Sequence, residues 1–370
     1  MITIISCSHS PDDERVYHKQ VRSLEKQGHK IFYITRSEFE INLSSALIYH
    51  INYKKISSLK KYIEFVINKI KAQDKVTHVQ IHETELLSIL KAIKLRSKNI
   101  TTIYDVHEDM EALYRTFSER SWALKEIAIK IRKLKEKKYL KYVDQIILAN
   151  SPIGETPYKE YCIPTEIIQN FPEKKYCDFS QELSLPQKPK FIYHGHLGPE
   201  RGIDDLIKAM SEVVNYAPQA TLTLVGTFRT TRFRDKIQKL INDYSFENIV
   251  EISNQIPHNE IWGVLKNHTI GVIPFGRNPL TEKNTPTKLF EMMASGLIIV
   301  STDLPPVRQF VNESVYWALP ENPGSLGGAM INAIQSLGQF TSIKDNLDLI
   351  EKQYNWGMIE KRYLELFELR

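Results

Sequence analysis

Along the chain, short runs of β-branched and other apolar residues alternate with stretches in which apolar positions recur every three or four residues. The short runs predict strands at 2–7, 30–35, 47–53, 78–82, 101–106, 145–149 and 166–169, and again at 190–194, 221–225, 249–252, 270–275, 297–302 and 315–318. Several are apolar on both faces, as strands buried in a parallel sheet are. The longer periods predict helices between them, among them 16–27, 58–71, 84–95 and 203–214. Strand, helix, strand, carried through twice, predicts two parallel α/β sheets, each covered by helices. The stretch 177–189 carries Pro186 and Pro189 and no clear period, which predicts a linker. The organisation expected is therefore 1–176 as one Rossmann-like domain and 190–352 as a second, with 353–370 as a closing segment.

Two such domains facing one another place the C-terminal ends of both sets of strands at a shared cleft, and ligands of open α/β sheets bind at those ends. The candidate chemistry thus lies in the residues that follow the strands. After the first strand, Asp12 and Asp13 open a helix, with Arg15 just inside it. Two readings stand: the carboxylates cap the helix, or this loop and Arg15 touch substrate. The fourth and fifth strands lead into His82-Glu83 and into Asp105-Val106-His107-Glu108. Two histidine–acid clusters at neighbouring strand ends are expected to converge. No pair among them has the i, i+4 spacing of helix-borne metal ligands, so no metal is expected.

In the second half, FIYHGHLGPERG runs from a strand through Gly195, His196 and Arg201 into a helix. This is either an ordinary strand-to-helix turn or an anion site built from free N–H groups and one arginine. The stretch NTPTKLFEMMASGLIIV leads from a polar loop into a short helix and then a buried strand. Pro286 suits the first turn, where its missing N–H costs nothing. Lys288 and Glu291 share one helix face. They are either a surface ion pair of little worth, or a nucleotide site in which lysine and helix N–H groups take diphosphate and the carboxylate takes two ribose hydroxyls.

Composition narrows the class. With 370 residues, 42% hydrophobic and 25% charged, the chain has the mix of a soluble globular protein of two ordinary domains. No apolar run approaches the ~18 residues of a spanning helix, and the opening MITIISCSH lacks the basic flank of a signal peptide. Cys7, Cys162 and Cys177 make neither a disulfide framework nor a zinc spacing, which points to a reducing, cytoplasmic setting. Residues 1–150 hold 27 Lys/Arg against 18 Asp/Glu, while the remainder holds 22 against 26. The most basic segment is 122–143, where Leu124, Ile127, Ile131 and Leu134 recur at helical spacing among lysines. It is either a solvated helix packed by that apolar face or a patch for an anionic membrane surface. Few aromatics interleave the charges and no nucleic-acid motif is present, so a nucleic-acid partner is not expected.

SPDDERVYHKQVRSLEKQGHKI, YDVHED, HGHLGPERGIDDLIKA, TLTLVG, IGVIPF and PTKLFEMMASGLIIVSTDLP together resemble family 4 of the retaining glycosyltransferases, over nearly the whole chain. The resemblance implies a GT-B fold and transfer of a sugar from a nucleotide-sugar donor, UDP- or GDP-linked, to a glycan or lipid-linked glycan with retention at the anomeric carbon. Surface polysaccharide synthesis without a metal or other cofactor is expected, and the basic first half and the 122–143 segment lead to the further expectation of a cytoplasmic protein peripheral to the membrane through that segment. Residue by residue, the resemblance assigns His107, Arg201 and Lys288 to catalysis. Gly195, His196, Arg201, Thr285, Thr287, Lys288, Leu289 and Glu291 would bind the donor. Asp12, Asp13 and Arg15 would belong to the N-terminal loop that closes over donor and acceptor, and the strand-end clusters add His82, Glu83, Asp105 and Glu108 to the expected acceptor side. Tyr354-Asn355-Trp356 and the helix after it resemble the family's final helix, which crosses back to the N-terminal domain. The sequence departs from the pattern at Lys283, where the family commonly has Glu (Glu282 is one place off), at His196 for Arg and at Arg201 for Lys. These departures leave two other readings: a GT-B subunit that binds a nucleotide sugar or partner enzyme without turnover, and a sugar-nucleotide epimerase.

Overall fold

The computed structural model describes residues 1–38, 41–54, 58–177, 188–311, 313–339 and 341–368. By its contacts the chain divides into two units, Met1–Asn170 with Ile359–Arg370, and Phe171–Met358. The expected linker 177–189 lies largely outside the described residues.

The first unit holds seven parallel strands: β1 (Ile2–Ile5), β2 (Ile31–Ser37), β3 (Ile48–Lys54), β4 (His78–Ile81), β5 (Thr101–Val106), β6 (Gln145–Leu148) and β7 (Thr165–Ile167). Their order is β3-β2-β1-β4-β5-β6-β7. Chain order runs outward from β1 to β3, then restarts on the other side at β4, so the switch point lies between β1 and β4. The central strands are fully buried, with Ile4, Ile5, Val79, Ile81 and Ile103 among the core side chains. That explains their unbroken apolar reading, because both faces carry helices. Residues from Ile359 onward belong to this unit: Tyr363 Oη donates to Gln80 Oε1 at 3.0 Å, Arg362 pairs with Glu166, and Phe367 packs on His78.

The second unit holds β8 (Lys190–His194), β9 (Thr221–Val225), β10 (Val250–Ser253), β11 (Ile270–Ile273), β12 (Ile298–Thr302) and β13 (Val315–Ala318). All pair in parallel, in the order β10-β9-β8-β11-β12-β13, which puts its switch point between β8 and β11. Strand β11 stops at Ile273, two residues before the expected end, because Pro274 has no N–H to give the ladder.

Two local expectations are corrected. The helix expected from 16 begins earlier, as a π-helix Glu14–Val21 that passes into an α-helix Arg22–Lys26; Arg15, Lys19 and Gln20 within it are all buried. The Trp122–Leu140 helix does not pack by its regular apolar stripe. Ile129 and Leu140 are its buried residues, whereas Leu124, Ile127, Ile131 and Leu134 are exposed. No described helix is long and apolar enough to cross a membrane.

Candidate functional site

In the first unit, the loops after β1, β4 and β5 bring together His9, His82, Glu83, Asp105 and His107. Asp105 is fully buried at the end of β5. Arg15 Nη2 donates to both its oxygens, at 2.9 and 3.2 Å, and Gln20 Nε2 donates at 2.6 Å. Arg15 also donates from Nη1 to the Ile168 carbonyl at 2.6 Å. The Arg15 guanidinium is therefore committed inside the fold. Asp13 is the helix cap, accepting from the N–H groups of Arg15 and Val16 at 2.9 Å. Asp12 is exposed and accepts from Ser10, and Glu108 is exposed.

Glu83 holds the β1 loop from across the switch point. Its Oε1 accepts from the N–H groups of Cys7 and Ser8 at 2.9 and 2.7 Å, from Ser6 Oγ at 2.8 Å, and stands 3.1 Å from His9 Nδ1. The N–H groups of Cys7 and Ser8 are thus turned onto the chain's own carboxylate. Burial opposes the charge on His9, yet the hydrogen bond to Glu83 and the fields of Asp13, Glu83 and Asp105 outweigh it and raise the imidazole's pKa. Burial likewise opposes the Glu83 anion, and His9 more than compensates, lowering it.

His82 Nδ1 and His107 Nε2 lie 2.9 Å apart, and the His9 ring packs on His107 with centroids 4.3 Å apart. Burial pushes His82 down to about 4, and burial together with His9 and Arg15 holds His107 well below the ordinary histidine value, so both are neutral at pH 7. His82, Asp105 and His107 offer three ligand atoms within 4.8 Å of one another. The Arg15 guanidinium competes with any cation for the same carboxylate. Asn150 fixes the His107 main chain, donating from Nδ2 to its carbonyl at 2.6 Å.

In the second unit, the Thr287–Ala294 helix is anchored by Leu289, Phe290, Met292 and Met293, all fully buried. Phe290 sits in an aromatic cluster with Phe171, Phe310 and Tyr354. Lys288 and Glu291 share one edge of this helix, and among the described residues no side chain caps its first turn. The Lys288 ammonium lies 4.8 Å from the Tyr193 ring and 4.7 Å from the Phe275 ring, the two faces a cation favours. Arg201 lies over Phe275 as well, at 4.7 Å. Among the described residues Lys288 makes no ion pair. Burial, with the neighbouring Arg201 charge, holds its amine well below the usual lysine pKa.

Gly195 follows β8 at φ +112°, and Lys288 Nζ approaches within 3.3 Å of where a Cβ would stand. Gly202, at φ +66°, has the Pro274 carbonyl 1.8 Å from the corresponding point, so only glycine lets the β8 loop lie against β11. Arg201 and Arg229 flank Glu200, Arg229 Nε donating to it at 2.7 Å. His196 is exposed; partial desolvation and then Arg229, Arg201 and Lys288 lower its pKa.

The Glu291 carboxylate does not point into open solvent. His258 Nε2 stands 2.9 Å from one oxygen and His194 Nε2 3.4 Å from the other. Burial brings His194 down to about 4, against the pull of Glu291. His258 is in turn framed by Trp262 and Tyr176, which stack on one another 4.8 Å apart. Thr287 is exposed and Thr285 partly buried in the same loop; Lys283 is exposed, and Glu282 accepts from Arg277 at 2.9 Å.

Sequence reasoning missed His9, His194, His258, Tyr193 and Phe275. His9 stood in a loop already singled out. Tyr193 and His194 read as strand, and the residues around His258 carry no motif.

Residues 178–356 match the family described as "Glycosyl transferases group 1", so the second unit carries a domain of that kind. No curated protein matches the chain. Among solved structures it is similar to a sucrose-phosphate synthase from Thermosynechococcus elongatus, with TM-score 0.74, 18% identity, and 99% of this chain and 98% of that one covered. It is also similar to a glycosyltransferase from Rickettsia africae, with TM-score 0.70, 14% identity, and 100% and 99% covered. The HepE protein of Anabaena in complex with UDP gives TM-score 0.71 at 14% identity over 98% of each chain. At these identities the likeness establishes the fold, which is the GT-B class.

Proposed function

We propose that this chain is a nucleotide-sugar-dependent glycosyltransferase that retains the anomeric configuration. The observation that carries the reading is Lys288, a partly buried ammonium between two aromatic rings, beside Arg201 and without an ion pair among the described residues. A diphosphate supplies the counter-charge that Lys288 lacks, and the uncapped helix start adds N–H donors to it. Glu291 then binds the ribose hydroxyls, with His258 orienting it through the 2.9 Å contact to Oε1. Gly195, Thr285 and Thr287 line the diphosphate loop, and Leu289 seats the helix. The HepE structures, in complex with UDP and with UDP-glucose, support a UDP-sugar as donor, with a GDP-sugar the alternative.

In the step proposed, the bond from the sugar's anomeric carbon to the diphosphate oxygen breaks. The acceptor hydroxyl oxygen bonds to that carbon on the same face, and its proton passes to the departing phosphate. Positive charge gathers on the sugar, as in glycoside hydrolysis, and negative charge on the leaving group. Lys288 and Arg201 meet the latter without help from a metal, at a worth of about 2–4 kcal/mol for each contact. To the first unit the reading assigns the sugar and acceptor, through the neutral His107 ring and the elements held by Glu83 and Asp105. The acceptor proposed is a glycan or lipid-linked glycan, in keeping with the basic balance of residues 1–150 and a role in surface polysaccharide synthesis.

The test is turnover. Purified protein given UDP- or GDP-sugars and a mixture of glycan acceptors is expected to form a product whose anomeric coupling in NMR matches the donor's. Binding without turnover supports a non-catalytic subunit instead, and a donor altered without acceptor supports an epimerase.

A further inference from the structure

The apolar stripe of the Trp122–Leu140 helix faces away from its own fold. At about 100° per residue, Leu124, Ile127, Ile131 and Leu134 fall within an arc of roughly 80°. They are 54%, 54%, 60% and 68% exposed. The buried residues Ile129 and Leu140 lie on nearly the opposite side. Four aliphatic side chains aligned in water are an unpaired surface.

The charges around the stripe are of one sign. The helix holds seven basic residues and two acidic ones. Both acids are turned away: Glu126 pairs with Arg115, and Glu136 accepts from Tyr158 at 2.7 Å. Arg132 and Lys133 are engaged with Glu85 and Glu111. Lys130, Lys135 and Lys138 border or continue the stripe, are exposed, and make no ion pair among the described residues.

We propose that this face docks on an anionic lipid bilayer, with the aliphatic stripe entering the headgroup boundary and the lysines meeting lipid phosphates. Charge selects the occupant. A second copy of the chain would set the same lysines against one another with no acid to answer them. A nucleic acid would pair with the lysines and leave the aliphatic stripe in water, since its bases stack on aromatic rings. Only an anionic interface with an apolar layer beneath satisfies both halves of the pattern. The inference rests on this helix alone, and holds or fails independently of the donor site.

The experiment is co-sedimentation of the full chain with vesicles at about 0.1 M salt. One set is phosphatidylcholine alone and the other an equimolar mixture with phosphatidylglycerol. The protein is expected to sediment with the mixed vesicles and not with the neutral ones. Each of Lys130→Gln, Lys135→Gln and Lys138→Gln is expected to lower partitioning about fivefold. Ile131→Ser with Leu134→Ser is expected to lower it at least about tenfold. Lys239→Gln, on the second unit, leaves it unchanged. The substituted positions are exposed, so each variant keeps the parent melting temperature. Equal binding to neutral vesicles, no binding to either set, or stripe variants that bind like the parent overturns the proposal. So does a dimer in light scattering that Ile131→Ser with Leu134→Ser dissolves, or binding to an oligonucleotide in place of the vesicles.

Discussion

His258 Nε2 stands 2.9 Å from Oε1 of Glu291, on a carboxylate whose other oxygen faces His194. The carboxylate is thus oriented before any ligand arrives, which lowers the ordering cost of binding. Hydrogen bonds to a charged group are worth about 1.5–3 kcal/mol. Glu291→Ala is therefore expected to weaken a nucleoside diphosphate by about 10- to 100-fold while leaving inorganic pyrophosphate unchanged. Competition between the two ligands in calorimetry separates ribose recognition from phosphate recognition.

Lys288 predicts a pH dependence. Its pKa is lowered by burial and by Arg201, so the ammonium persists only below that lowered value. A diphosphate favours the charged form. Affinity is therefore highest on the acid side of that pKa and falls as pH rises through it, with proton uptake on binding. Lys288→Arg stays charged throughout and flattens the profile. Titrations in two buffers of different ionisation enthalpy measure the uptake directly.

Arg15 and Asp105 form a buried pair, 4% and 0% exposed. Removing one partner strands the other's charge inside the sheet, at a cost of about 3–5 kcal/mol. Arg15→Ala is expected to lower the urea midpoint of the first unit accordingly. If Arg15 served only to touch substrate, stability would be unmoved.

Gly202→Ala places a Cβ 1.8 Å from the Pro274 carbonyl at a φ of +66°. The β8 loop must then shift away from β11, carrying Arg201 off Phe275. The expected outcome is a loss of at least about 2 kcal/mol in stability, together with weakened diphosphate binding. Thermal unfolding with and without nucleotide reads both.

All thirteen strands among the described residues lie where the apolar runs place them, because strands buried on both faces need apolar residues at every position. The ends moved by a residue or two where local chemistry intervened, as at Pro274. The Trp122–Leu140 helix shows what periodicity leaves open. Spacing tells which positions share a face, and tertiary packing decides whether that face meets the core; here Ile129 and Leu140 do. The candidate helix Thr287–Ala294 was legible because Pro286, Lys288 and Glu291 lie within six positions of one another. His258 was not, since its link to Glu291 spans 33 residues and exists only once β10 and β12 are in place. Asp13 was left between capping and substrate contact, and it caps.

The most direct measurement is calorimetric titration of UDP-sugars and GDP-sugars into the parent protein and Lys288→Ala at neutral pH. The account predicts saturable binding of one donor class to the parent and a loss of about 2–4 kcal/mol, roughly 30- to 1000-fold in affinity, in the variant. Equal affinities for parent and a folded Lys288→Ala would contradict it.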